Sequence, residues 1–398
     1  MRKKLISPKT IQIEAIQAEI GQIDGCDGWL LYDFHGHNSI AIEVLQIPSH
    51  QMLSRRFFYW IPKSGTPVKI VHQIEQDALD HLPGTKRSYA DWQILELELS
   101  KVLRGKKTIA MEHSKIPSIS KLDSATFEWL EGLNIKVVCS WPIAERLIAR
   151  LNSSQLASHK KASKMLIKAY ESAWKLIKKT LSANKTITEY DVQQHILEHF
   201  EGFKTDHPPI VSIGPNTALP HYFPQKRKSA LIQQNSLLLI DLWAKEKTPG
   251  SIYADLTQVA YIGKKAPQEL VNVYNIVFNA QSAAIEYVQK QLKKKKPVRG
   301  ADVDDVCRAY IQKNGYGQYF VHRTGHNISH ELHGLGPNLD NFETNDTREL
   351  LPNTCYSVEP GIYIADSFGI RLECNMIIGE DYSLEVTGQS KPELPCLF

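Results

Sequence analysis

The sequence predicts two domains, an α/β domain over residues 1–152 and an α+β domain over residues 153–398. The chain has 398 residues, which is enough for about two domains that each bury a core. Its first part alternates strand-like and helix-like segments, which is typical of an α/β domain. Its second part begins with long helical patterns and then changes to hairpins that contain acidic residues.

Four short apolar runs in the first domain are typical of buried strands. They cover residues 29–32, 57–60, 68–72 and 108–111. The apolar positions of residues 90–103 predict a helix between the last two runs. Strands and a helix in this order predict a layered α/β arrangement.

The boundary between the domains is expected at Asn152. Ser153 or Ser154 would cap the long helix that follows, which is rich in Lys and Ala and extends to about residue 181. A second helix is expected to begin at Thr188. Two further helices are predicted at about 267–292 and 301–313, between the segments that carry the hairpins.

Composition excludes several classes of protein. The chain is 42% hydrophobic and 23% charged, and its net charge of +4 is too small to indicate nucleic-acid binding. The lysines at 293–296 are interpreted as a solvated helix end before Pro297. Six dispersed cysteines without a CxxC pair indicate reduced thiols. With no signal peptide and no run of about 18 apolar residues, we expect a cytoplasmic protein that binds no membrane.

The first acidic hairpin contains Asp241 and Asp255. A short apolar run leads into Asp241, a second strand-like run contains Asp255, and Pro249-Gly250 lies in the turn between them. If the two strands are antiparallel with the turn centred on Thr248, the two carboxylates face each other. Like charges directly opposite are unfavourable in a sheet, and buried carboxylates are costly unless they are paired or bind metal.

The second hairpin repeats this arrangement with Glu359 and Glu373. A turn centred on Asp366 would place these two acids opposite each other. On the return strand, Arg371 and Asn375 share a face with Glu373, while apolar residues occupy the other face. Such a strand is half polar, and its polar face is expected to border a site.

A fifth candidate ligand, His326, lies between the two hairpins. A lone Asp in a strand is usually an edge or turn residue, and a lone His is usually hydrogen-bonded in the core or on the surface. Two acid pairs with a histidine favour a metal site instead. Four carboxylates carry a charge of −4, which two divalent ions balance. Ligands that are mostly oxygen suit Mn²⁺ better than structural Zn²⁺, with Co²⁺, Zn²⁺ or Fe²⁺ as alternatives.

The order Asp, Asp, His, Glu, Glu resembles that of the pita-bread metallopeptidases, which include methionine aminopeptidase, aminopeptidase P and prolidase. The local motifs are similar too, and they lie at residues 255–257 (D-x-T), 322–326 with His333 (H-x-x-G-H…H), 359–363 (E-P-G-x-Y) and 369–373 (G-x-R-x-E). The resemblance implies a creatinase/prolidase-like N-terminal domain before a pita-bread catalytic domain. That N-terminal domain favours the branch that cleaves Xaa-Pro bonds.

The resemblance also implies a role for each ligand. Asp241 would bind one ion, and His326 and Glu359 would bind the other. Asp255 and Glu373 would bridge both ions, which would share a hydroxide that attacks the peptide. Glu359 would also accept the proton of the water that forms this hydroxide.

Three histidines and one arginine match further family positions. His221, His322 and His333 would contact substrate or transfer protons, with structural support of the site as the alternative. Arg371 would hold a carboxylate, either in the metal site or on the substrate. By resemblance, the chain is also expected to form a homodimer or a larger homo-oligomer.

The expected activity is hydrolysis of the Xaa-Pro bond at the N-terminus of a peptide, as in aminopeptidase P. The alternatives are an Xaa-Pro dipeptidase, a creatinase-like enzyme acting on a small non-peptide substrate, and a non-catalytic binding module. Several departures from the family pattern surround the pocket and leave the exact peptide open, among them a first hairpin loop about three residues longer than usual. The others are Trp243 two residues after the first Asp, Gln258 after the D-x-T motif, Asn327 after the His ligand, and a polar loop over residues 334–350.

Overall fold

The computed structural model describes residues 13–398. The chain divides into two compact units, Met1–Ile148 and Ala149–Phe398. The domain boundary that we propose at Asn152 lies in the short connection between the helices on either side of this division. Among the described residues, no helix combines the length and apolarity needed to cross a bilayer. All six cysteines fall within the described part of the chain, and each is a free thiol.

The first unit is built on a six-stranded sheet in the order β4-β3-β2-β1-β5-β6. Strands β1 and β2 are buried along their whole length, as their continuous apolar sequences predict. The predicted strands at β1, β2, β3 and β5 and the predicted helix α3 are all present. The elements are α1 (Ile13–Ile20), β1 (Gly28–Asp33), α2 (Ser39–Val44), β2 (Phe57–Pro62), β3 (Val68–His72), β4 (Thr85–Tyr89), α3 (Trp92–Val102), β5 (Thr108–Met111), α4 (Ser124–Gly132), β6 (Lys136–Cys139) and α5 (Trp141–Ile148).

The second unit combines four long or medium helices with several small sheets. One sheet has the order β10-β9-β7 with β8 also paired to β9, a second has the order β11-β12-β15-β16, and β13 pairs with β14. The elements are α6 (Ser153–Ser182), α7 (Glu189–Glu198), β7 (Phe203–Lys204), β8 (Ile210–Ile213), β9 (Leu237–Glu246), β10 (Ala254–Tyr261), α8 (Gln268–Lys293), α9 (Gly300–Lys313), β11 (Asn327–Ile328), β12 (Thr354–Val358), β13 (Gly361–Ile364), β14 (Phe368–Arg371), β15 (Cys374–Ile378) and β16 (Leu384–Thr387).

The start of α6 corrects one prediction. Its cap is Asn152, not Ser153 or Ser154. The Asn152 side chain accepts from the backbone N–H of Gln155, and the Gln155 side chain accepts in return from the backbone N–H of Asn152. This reciprocal pair is a capping box, which satisfies two donors that a helix end leaves open. Thr188, where the second helix is predicted to begin, is the cap of α7, whose first residue is Glu189.

The register of the first acidic hairpin differs from the prediction. Asp241 pairs with Thr257, and Asp255 pairs with Trp243, so the two acids are not directly opposite. The ladder is shifted by two residues because the return limb of the turn bonds elsewhere. There the backbone N–H of Tyr253 donates to the carbonyl of Ser329. A shift of two keeps both carboxylates on one face, as diagonal neighbours.

The second acidic hairpin has the predicted turn but not the predicted single strand. Gly361 pairs with Arg371, and the turn is centred on Asp366. The return segment is interrupted after Arg371, because β14 pairs with β13 while β15 pairs with β12 in another sheet. Glu359 and Glu373 therefore lie at the breaks between strands, outside both ladders.

Candidate metal centre

The five predicted ligands come together in one cavity of the second unit. Asp241 and Asp255 project from the same face of β9 and β10. Glu359 directly follows β12, Glu373 directly precedes β15, and His326 directly precedes β11. All five line a cavity of about 1250 Å³. Two side chains on the face of one sheet and three at the strand ends of another thus converge on one space.

The centre of this group is a buried set of three residues. Asp255, His326 and Glu373 each present a ligand atom, and these atoms all lie within 4.8 Å of one another. The Nε2 atom of His326 is 3.5 Å from Asp255 Oδ2 and 3.5 Å from Glu359 Oε1. Carboxylate and imidazole donors at this spacing could share divalent cations.

Three carboxylate oxygens of this group have no hydrogen-bond partner. They are the buried atoms Asp241 Oδ1, Asp255 Oδ1 and Glu373 Oε1. A buried anionic oxygen without a partner is costly unless a cation faces it. The other oxygens of the same residues do have contacts, including the Thr257 hydroxyl, which donates to Glu373 Oε2 over 2.8 Å. The unpartnered atoms therefore fit the donors of a metal site.

The pKa values of the acids reflect the same crowding. Burial, followed by the charges of neighbouring acids, raises the pKa of Glu373 well above its ordinary value. Burial also raises the pKa of Asp255, and it raises that of Asp241 to about 7 against the lowering effect of Arg371. A divalent cation against these oxygens would reverse this balance, because it stabilises their charged forms.

Glu359 behaves differently from the other acids. Burial disfavours its charge, but His326, His322 and Arg371 together outweigh burial and lower the pKa of Glu359 below its ordinary value. The Ser357 hydroxyl donates to Glu359 Oε1 over 3.1 Å and accepts from the backbone N–H of His326 over 2.9 Å. Glu359 is thus an oriented carboxylate that remains ionised.

Arg371 lies at the centre of the polar network behind the acids. Its guanidinium forms an ion pair with Asp241 Oδ2. It also donates to Thr257 Oγ1 over 3.1 Å, to the Tyr363 hydroxyl over 3.1 Å and to the Pro220 carbonyl over 3.4 Å. Of the two partners expected for Arg371, the structure shows a carboxylate of the candidate metal site.

The three predicted histidines all line the cavity. His322 Nε2 is 2.9 Å from the Tyr363 hydroxyl, and His322 Nδ1 is 2.7 Å from the carbonyl of Arg323. The ring of His333 lies edge-on to that of His326, with centroids 4.3 Å apart. Burial lowers the pKa of His322 and, together with the charge of His326, lowers that of His333 to about 3. Both rings are therefore neutral near pH 7.

Four further residues belong to the site, although the sequence analysis gave them no role. Thr257 and Tyr363 stand within the quoted motifs, and their contacts with Arg371 show why a hydroxyl is needed at each position. In the sequence, the position of Ser357 two residues before Glu359 is the one feature that connects it with the site. Gln281 had no signal at all, because it reaches the site from α8, far away in the sequence.

Fold and site together define a metal-dependent peptidase. Residues 157–380 match the family model for metallopeptidase family M24, and the chain belongs to this family. The predicted pita-bread family, the two-part fold class and the assignment as a hydrolase are thereby confirmed.

Individual relatives narrow the comparison. A Mycoplasma pneumoniae protein provisionally named as an Xaa-Pro aminopeptidase is 33% identical over 204 residues, which cover 49% of this chain and about half (52%) of that relative. An uncharacterized peptidase of Staphylococcus epidermidis is 25% identical over 385 residues, or 93% of this chain and 97% of the relative. A recombinant prolidase from Thermococcus sibiricus has a similar structure, with a TM-score of 0.66 at 22% identity over 97% of this chain and 98% of that chain.

Proposed function

We propose that this chain is a peptidase that depends on two divalent metal ions and hydrolyses the Xaa-Pro bond at the N-terminus of peptides. The observation that supports this most strongly is the set of buried, unpartnered carboxylate oxygens around His326. The names of the relatives, an Xaa-Pro aminopeptidase and a prolidase, support the choice of bond. Mn²⁺ is the proposed ion, because oxygen donors predominate.

In this proposal the ligands divide between two ions. Asp241 would hold one ion, His326 and Glu359 would hold the other, and Asp255 and Glu373 would help to hold both. Ions bound there would polarise the scissile carbonyl and activate a water molecule at neutral pH.

The protein's own residues supply the proton transfers and the orientation. Glu359 accepts a proton, since its carboxylate is ionised and its Oε1 atom is oriented by Ser357. His333 is neutral at pH 7, so a ring N–H can donate to the oxygen that becomes negative on the scissile carbonyl. Tyr363 bridges His322 and Arg371, which fixes the remaining wall of the site.

The size of the cavity supports an aminopeptidase over a dipeptidase. Its volume of about 1250 Å³ exceeds the roughly 300–1,000 Å³ of ordinary small-molecule pockets. A dipeptidase needs a cation for the free carboxylate of its substrate. Among the cavity-lining residues, Arg371 is paired with Asp241, and Arg323 lies 4.0 Å from Glu343 Oε2. Lys228, exposed at the cavity, is the group that a dipeptidase of this kind would use.

We also propose a cytoplasmic location and a homodimer or larger homo-oligomer. The unpaired cysteines support the location. The assembly follows from the resemblance to the family, and size measurements in solution would test it directly.

Peptide hydrolysis tests the proposed activity. The protein is loaded with Mn²⁺ and given an Xaa-Pro-Yaa tripeptide, an Xaa-Pro dipeptide and an Xaa-Ala-Yaa control. We expect the tripeptide to be cleaved fastest, the dipeptide more slowly and the control hardly at all. Equal rates on the Xaa-Ala peptide would contradict the specificity, and a faster dipeptide would favour the prolidase alternative. Glu359→Gln should lower kcat by at least about 100-fold, since it removes both the proton acceptor and a charged oxygen of the candidate metal site.

A further inference from the structure

One segment of the second unit supplies much of the cavity wall. It covers residues 214–230, forms the first part of the connection from β8 to β9, and is called the His221 segment below. Its cavity-lining residues are Leu219, Pro220, His221, Tyr222, Phe223, Gln225 and Lys228. The position of this segment therefore affects how a substrate fits beside the candidate metal centre.

A single buried carboxylate contacts the segment at both ends and in the middle. Glu189, the first residue of α7, has no solvent exposure. Its Oε1 atom accepts from the backbone N–H of Ile213 over 2.8 Å and from the side-chain amide of Asn216 over 2.9 Å. Its Oε2 atom accepts from the Tyr222 hydroxyl over 2.6 Å and from the backbone N–H of Ala230 over 2.9 Å.

The helix that carries Glu189 has a separate cap for its own start. Thr188 caps α7, and its Oγ1 atom accepts from the backbone N–H of Asp191. The four hydrogen bonds of the Glu189 side chain thus all go to the His221 segment or to the residue before it. Fully buried carboxylates are kept only where such bonds offset the loss of water.

The segment also contacts the polar network of the metal centre. Arg371 donates to the carbonyl of Pro220 over 3.4 Å, and the backbone N–H of Gly369 donates to Thr217 Oγ1 over 2.8 Å. The segment is thus fixed between α7 on one side and the strand that carries Arg371 on the other. Glu189 provides the fixed point on the side away from the acids.

We propose that Glu189 is a positioning residue that holds His221 and Tyr222 in place for substrate binding. This inference rests on the proposed function, because it concerns the substrate side of the same site. None of the four hydrogen bonds of the Glu189 side chain goes to a candidate metal ligand. Its removal should therefore affect substrate affinity and leave metal binding unchanged.

Glu189→Gln is the first test. The glutamine amide keeps the shape of the side chain but replaces one acceptor oxygen with a donor, so the two donors that faced that oxygen lose their partner. We expect KM for the tripeptide to rise by about tenfold, the equivalent of about one hydrogen bond. We expect kcat to change by less than about threefold and bound metal to stay at the wild-type level.

Two companion variants separate positioning from stability. Tyr222→Phe removes only the central bond, so KM should rise by less than in Glu189→Gln, and the double variant should be less than additive. Thr188→Ala removes the cap of α7, costs stability, and leaves all four Glu189 bonds in place. We expect Thr188→Ala to leave KM unchanged.

Limited trypsin digestion gives a readout that needs no substrate. Lys226, Arg227 and Lys228 are exposed within the His221 segment. Glu189→Gln should increase cleavage at these residues, and Thr188→Ala should not. If wild type cleaves no Xaa-Pro peptide, the proposed function fails, while digestion and metal content still test the role of Glu189.

The proposal is overturned by any of three results. The first is that trypsin cleaves Glu189→Gln at residues 226–228 no faster than it cleaves the wild type. The second is an equal rise of KM in Glu189→Gln and Thr188→Ala, and the third is loss of metal from folded Glu189→Gln. If Glu189→Gln does not fold, Tyr222→Phe decides the matter, because unchanged KM and unchanged digestion of that variant would also overturn the proposal.

Discussion

Gln281 is expected to hold together the two strand breaks that carry Glu359 and Glu373. It lies on α8 and is 1% exposed. Its side-chain amide donates to the carbonyl of Val358 over 2.8 Å and to the carbonyl of Leu372 over 2.9 Å. These are the residues immediately before the two glutamates. We predict that Gln281→Leu destabilises this region and weakens metal binding.

The size of the effect follows from opposing contributions. The substitution takes the Gln281 donor away from two buried carbonyls, at roughly 1–3 kcal/mol each. It also removes Gln281 Oε1, a buried acceptor that has no partner of its own. Removing this atom should stabilise the fold by roughly 1–2 kcal/mol. Leu has a similar volume, so the cavity contribution is small. The net loss should be about 2–3 kcal/mol, and metal affinity should fall by about 10-fold or more.

Hydrogen exchange of peptides from residues 354–378 measures this loss of stability locally. A local measurement is needed because a chain with two units need not unfold in one transition. Exchange should accelerate by about 30- to 150-fold, the equivalent of the expected free energy. Gln193→Leu is the matched control. Gln193 is also a buried glutamine of this unit, and it donates only to the Pro209 carbonyl. The control should leave Mn²⁺ affinity unchanged. Less than a threefold change in exchange for Gln281→Leu would refute the reasoning.

Two further predictions concern the pocket and the pH dependence of stability. The Trp243 indole N–H donates to Asp206 Oδ1 at the cavity wall. Trp243→Ala should therefore raise the ratio of kcat/KM for peptides with a bulky first residue to kcat/KM for Ala-Pro peptides by about tenfold. An unchanged ratio would contradict this prediction. His159 is fully buried, with Nδ1 at 2.7 Å from the Tyr253 carbonyl and Nε2 at 3.1 Å from Thr387 Oγ1, and burial lowers its pKa from 6.5 to about 4. The unfolded chain therefore binds the proton more readily, so unfolding free energy should fall by about 3 kcal/mol as pH drops from 6.5 to 4. Denaturant titrations of wild type and His159→Gln across this range should show a weaker dependence in the variant, and equal slopes would argue against His159 as the cause.

Much of the site could be predicted from sequence because its signals are local. An apolar run that ends in an acid marks Asp241, and alternation marks the shared face of Arg371 and Glu373. The register of the first hairpin could not be read in this way. It depends on Tyr253, whose backbone N–H bonds to Ser329, a residue far away in the sequence.

The residues that support the site are less visible in the sequence. Glu189 follows Thr188 at the start of α7, where an acid is already favoured by the helix dipole. Its hydrogen bonds to the His221 segment are a second reason for an acid at this position, and only the fold shows them. Asn327 is similar, because its side chain accepts from the backbone N–H of Gly336 over 3.0 Å and donates to the Cys355 carbonyl. It therefore fixes the loop that follows His333, which explains an amide at this departure from the family pattern.

Metal stoichiometry tests the central claim most directly. Metal-free protein is dialysed against Mn²⁺ at neutral pH, and the bound ion is measured per chain for wild type and for Asp255→Asn. The account predicts about two ions per wild-type chain, because four carboxylates need two divalent charges for balance. It predicts a clear loss in Asp255→Asn, since Asp255 is expected to contact both ions. Wild-type protein that binds no Mn²⁺ or Co²⁺ would contradict the account.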